Sequence, residues 1–109
     1  MSRITDINDA PSLTLAFLAG RWIAIAQIEC NAGSGCEHAI EQHAAAAAVV
    51  HLLNERGACV ATADMAAAVD ALGVMIRQTF RGAETEAQYP PSPMVIASIL
   101  HAVNESLTA

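Results

Sequence analysis

A chain of 109 residues is long enough to bury one core, so a single helical domain over 1–109 with a short N-terminal arm at 1–10 is the expectation. Eleven acids against five basic residues, all of them arginine, give a formal charge of −6, which argues against nucleic acid and anionic membrane as partners. Apolar residues make up 54% of the chain and aromatics only 4%, with alanine supplying about a fifth, a composition suited to helices that pack closely on small side chains.

The first predicted helix opens near Pro11, a residue suited to a first turn, and runs to about Asn31, before Gly33. Its core LTLAFLAGRWIAIAQI carries Arg21 in the middle, which a secretory signal or a membrane span would avoid, so it reads as an ordinary buried helix. At about 100° per residue its apolar side chains, among them Leu15, Phe17, Leu18, Trp22, Ile23, Ile25 and Ile28, fall nearly all the way round. Such a helix must be covered on every side, which three neighbours in a small domain do not achieve. A homodimer or a partner protein is therefore expected, with Trp22 and Ile25 in the contact.

The second helix is predicted over about 35–56, opened by Ser34-Gly-Cys-Glu37 as a capping box and closed by Gly57. The run Ala44 to Ala48 lies inside it and reads as a close-packing surface. The third, over about 63–81, starts from Thr62 as N-cap, with Asp64 in its first turn, and stops at Gly82. Its stripe Met65, Val69, Leu72, Ile76, Phe80 is the cleanest amphipathic pattern in the chain. The fourth, over about 93–107, opens at Ser92 and Pro93 with the stripe Ile96, Ile99, Leu100, Val103, Leu107. No strand-like alternation interrupts these segments. Connections of this length favour antiparallel neighbours, so the expected fold is all-α, an up-down antiparallel four-helix bundle.

Chemistry-bearing residues are concentrated in CNAGSGCEHAIEQH, residues 30–43. In an up-down bundle Cys30 ends one helix and Cys36 begins the next, so the two form a candidate thiol pair, while Cys59 is sent to the opposite end. The cysteine spacing is not that of a structural zinc site, even with Glu84 or Glu86 as further ligands, and His38 and His43 diverge on the helix. Cys36 at a helix N-terminus is a mildly activated thiol but lacks the CxxC spacing of a redox catalyst. His43 lies on the row Ile40, His43, Ala47, Val50 and reads as a buried polar residue, whereas His51 and His101 read as surface. NAGSG precedes a helix but lacks the lysine and spacing of a P-loop.

No catalytic, cofactor-binding or metal-binding set emerges. The expected function is non-enzymatic: a cytoplasmic protein, with free thiols, acting by protein–protein interaction as an inhibitor, adaptor or regulator of the kind frequent among phage and accessory genes. Its contact residues would be Trp22 and Ile25, the acids Glu37 and Glu41, and the proline-stiffened loop with Glu84, Glu86 and Tyr89. One alternative is a small-molecule or metal-binding bundle with a pocket near Trp22 and His43 or at Cys30 and Cys36. Another is a helix-turn-helix-like DNA-binding regulator, with Leu72-Gly73-Val74 as the turn and Arg77 and Arg81 on the reading helix.

Overall fold

Alanine at seven-residue spacing decides how the first two helices meet. Ala19 and Ala26 on α1 (Ser12–Ala32) and Ala39, Ala46 and Leu53 on α2 (Cys36–Arg56) have no exposed surface. A small residue every two turns lets two backbones approach closely at a shallow angle, and α1 and α2 form the most extensive interface in the molecule. The computed structural model describes residues 3–58, 62–85 and 89–108. Its helical elements are a 3-10 turn, Ile7–Asp9, then α1, α2, α3 (Thr62–Thr79) and α4 (Pro93–Thr108). The fold is an all-α four-helix bundle, with no strand among the described residues.

Polar ties at both ends make α1 and α2 antiparallel. At one end Arg56 donates to the carbonyls of Ala10 at 2.7 Å, Asn8 at 2.8 Å and Ile7 at 3.2 Å, and to the Ser12 hydroxyl at 3.2 Å. It thereby gathers the carbonyls around the 3-10 turn, Ile7 among them although it also accepts from the Ala10 amide at 3.1 Å, and fixes the N-terminal arm to the end of α2. The arm is held from α4 as well: Asn104 donates to the Ile4 carbonyl and accepts from the Ile4 amide, both at 2.9 Å.

α3 lies against both members of this pair and antiparallel to α2, with Thr62 near Asn54 and Gly73 beside His43. α4 uses another face of the pair, its Met94, Val95 and Ser98 over Ile40, Ala44 and Ala45, and its Glu105 and Ser106 beside Phe17 and Arg21. Among the described residues α3 and α4 are not packed on each other. Leu15, Val49, Leu53, Leu72, Ile76, Ile99 and Val103 form the fully buried centre. Each leucine or isoleucine of this set contributes about 1.5–3 kcal/mol by leaving water.

The α1–α2 connection corrects the expected capping box. The Gly33 amide donates to Cys30 and the Ser34 amide to the Glu29 carbonyl, at 3.1 and 3.2 Å, a Schellman closure of α1. Ser34 is thus committed to ending α1, and the N-cap of α2 is Gly35, at φ 77° with no side-chain cap bond. Glu37 stands exposed in the first turn without a capping partner in the serine. At the far end the Ser92 hydroxyl does accept from the Val95 amide at 3.3 Å. α3 ends at Thr79, two residues before the expected Arg81, through a turn in which Ala83 donates to the Phe80 carbonyl.

Candidate functional site

Covering α1 from the sides of α2, α3 and α4 leaves one face bare. Leu13, Phe17 and Ile28 are 77%, 64% and 66% exposed, and Gly20 and Ala24 between them are exposed too. These five positions fall within an arc of roughly 80° on the helix, and the row from 13 to 28 is about 22 Å long. A side chain added at Gly20 would meet nothing within 4 Å. Arg21 is the charged residue at the edge of this apolar face. α1 is also the one helix among the described residues long and apolar enough to cross a membrane, with 33% of its most apolar window buried.

The expected contact residues of α1 sit elsewhere. Trp22 and Ile25 are half-buried and line the groove toward α4, because Trp22 points about 180° from Leu13. Glu37, Glu41 and Glu84 are exposed, whereas Glu86 and Cys59 lie outside the described residues. Tyr89 is 45% exposed, but its hydroxyl donates to Glu55 at 2.9 Å and its ring lies 3.6 Å, centroid to centroid, from His51. The bond to Glu55 holds the phenol above its ordinary pKa. His51 in turn lies 3.3 Å from Glu55, and His101 lies 3.1 Å from Glu105; both are surface residues, as expected.

At the end where α1 meets α2, Cys30 is buried and Cys36 half-buried, both as free thiols. Burial pushes the Cys30 thiol above its ordinary value; Glu29 and Cys36 add to the rise, and a hydrogen bond with Thr79 opposes it. Buried and hard to ionise, Cys30 is a poor nucleophile. Beside the pair, Glu29 Oε1 lies 2.5 Å from His38 Nδ1 and accepts from Gln42 Nε2 at 3.1 Å. Glu29 Oε2 is buried with no partner, and a Cβ at Gly35 would fall 2.6 Å from it. Among the described residues no three histidine, cysteine or carboxylate groups come together as a metal site.

The third feature is an open cleft of about 640 Å³ between α2 and α3. His43 is 5% exposed, as its place on the inward row of α2 implies, and its Nε2–H donates to the Val69 carbonyl at 3.1 Å. Burial pushes its pKa below the ordinary 6.5; the bond to Val69 raises it, the Arg77 charge lowers it and Asp70 raises it. Arg77 Nη1 donates to the buried Thr85 hydroxyl. These three side chains meet over Gly73, where a Cβ would stand 3.1 Å from His43 Nε2 and 3.4 Å from both Arg77 Nη1 and Thr85 Oγ1. Sequence reasoning missed Thr85 and read Gly73 as a turn residue, since their role depends on His43 of α2 and the loop after α3 converging on the Gly73 face of α3.

α3 runs unbroken through Leu72-Gly73-Val74, so the turn required by the helix-turn-helix alternative is absent. Gly73 has an ordinary helical backbone rather than the left-handed one that such a turn would favour. Comparison of the chain with family models, curated proteins and solved structures finds no match.

Proposed function

We propose that this is a non-enzymatic binding protein that acts through protein–protein interaction, as an inhibitor, adaptor or regulator, with the bare face of α1 as its docking surface. The observation that carries this reading is the row Leu13, Phe17 and Ile28, each more than half exposed, continuous through Gly20 and Ala24. Single exposed apolar residues are ordinary, but a stripe of this length marks a surface that gains by being covered. The small residues at its centre allow a second helix to come close, and the large ones on either side supply the area.

A second copy of the chain is the first partner to test, because the same face on each copy makes a self-complementary contact. The acidic surface, with Glu37, Glu41 and Glu84 exposed, supports a basic region on any further partner. The free thiols Cys30 and Cys36 fit a reducing cytoplasm.

Sedimentation equilibrium over a range of protein concentrations tests the reading, alongside flotation with phosphatidylcholine vesicles. The expected outcome is reversible self-association that Phe17→Glu weakens while helical content stays unchanged. Flotation of the wild-type chain without self-association would move the docking surface of α1 from protein to membrane.

A further inference from the structure

We propose that the cleft between α2 and α3 binds a small organic acid, its anionic group on Arg77 and Thr85 and its apolar body on the alanine and valine floor. The cleft, about 640 Å³, falls in the size range of small-molecule sites, roughly 300–1,000 Å³. It lies on the side of the bundle formed by α2 and α3, so the inference is independent of the α1 face.

The anionic end is fixed by hydrogen-bonding arithmetic. Arg77 carries five N–H donors, and among the described residues no carboxylate lies within ion-pair distance of it. One donor is engaged by Thr85 Oγ1, which orients the guanidinium and leaves the remaining fork toward the cleft. Because Thr85 accepts that bond, its own hydroxyl proton is available to a second acceptor, and Thr85 is only 8% exposed. A guanidinium fork with an adjacent hydroxyl donor matches the two oxygens of a carboxylate. His43 adds no charge: its Nε2–H is held by Val69, and burial keeps the ring neutral near pH 7.

The opposite requirement, an apolar body, follows from the floor. Ala47, Val50, Ala63, Ala66 and Val69 line the cleft beyond Arg77, with His51, Asn54 and Thr62 at its far end, and the side-chain-free Gly73 keeps the polar end open. A helical glycine costs about 1 kcal/mol relative to alanine. At this position alanine would press on His43 and come into contact with Arg77 and Thr85. Asp70 on the rim repels a second negative charge, which orients a monoanion with its acid at Arg77 and its tail toward Val50.

The test is an NMR titration of the full ¹⁵N-labelled chain with hexanoate, with its neutral amide hexanamide, and with inorganic phosphate. Hexanoate is expected to shift the Gly73, Arg77 and Thr85 amides saturably, and hexanamide to bind about tenfold more weakly or worse. Arg77→Gln, an exposed substitution, should lower hexanoate affinity by about tenfold with circular dichroism unchanged, and Thr85→Val should weaken it as an independent check. The proposal is overturned if hexanoate leaves these amides unmoved, if hexanamide binds equally well, or if both variants bind hexanoate as the wild type does. Phosphate binding as tightly as hexanoate would overturn the apolar-body assignment.

Discussion

Two glycines inside helices, Gly20 and Gly73, should respond to alanine in opposite ways. Replacing glycine by alanine in a helix interior gains about 0.8–1 kcal/mol from propensity alone. At Gly20 the new methyl meets nothing within 4 Å, so Gly20→Ala should keep that gain and raise the melting temperature by about 4 °C. At Gly73 the methyl would stand 3.1 Å from His43 Nε2, and the imidazole has little room to retreat, being 5% exposed and bonded to Val69. Displacing it leaves a buried donor and carbonyl poorly paired, about 1–3 kcal/mol, on top of about 1 kcal/mol or more for overpacking. Gly73→Ala should therefore be less stable than the wild type by about 1–3 kcal/mol after the propensity gain is subtracted. Urea denaturation followed by circular dichroism measures both, in a Phe17→Glu background so that assembly does not enter the comparison. Equal stability of the two alanine variants would refute the close packing of His43, Arg77 and Thr85 over Gly73.

Three further outcomes follow from the same structure. Gly35→Ala should destabilise by about 2 kcal/mol or more in the same denaturation assay, because φ 77° is unfavourable for alanine and its Cβ would collide with Glu29 Oε2. Arg56→Gln should release the N-terminal arm, seen as faster hydrogen exchange at Asp9 and Ala10, whose amides bond within the turn that Arg56 holds, with a loss of about 1–3 kcal/mol. His43 has a folded pKa below its unfolded value, so its contribution to stability is complete above about pH 6.5 and declines as pH falls toward the depressed folded value. The slope from this one group cannot exceed about 1.4 kcal/mol per pH unit, and His43→Gln should remove that part of the acid sensitivity. An unchanged pH profile in His43→Gln would contradict its burial as a neutral ring.

The four helices were legible because each is bounded by residues with few other uses: Gly33, Gly57, Gly82, and Ser92 with Pro93. His43 was legible for a related reason, since the row Ile40, His43, Ala47, Val50 fixes the inward phase of α2. The serine–glutamate spacing at 34–37 misled because a capping box and a Schellman closure compete for the same Ser34 amide. The short connection, with glycines at both 33 and 35, favours the closure. α1 was harder in principle. A helix apolar all round carries no phase, so sequence predicts that something stays uncovered but not that Leu13, Phe17 and Ile28 are the ones left. That choice is made by where α3 and α4 sit. Glu29, Arg56 and Thr85 were missed because their partners, His38, Ala10 and Arg77, are brought to them only by the tertiary fold.

The docking role of the α1 face is tested most directly by the solution mass of wild type and Phe17→Glu across micromolar concentrations. The account predicts a wild-type mass approaching that of two 11.3 kDa chains and a Phe17→Glu chain that remains single with its helical content intact. A wild-type chain that stays single at the highest concentration reached would contradict it.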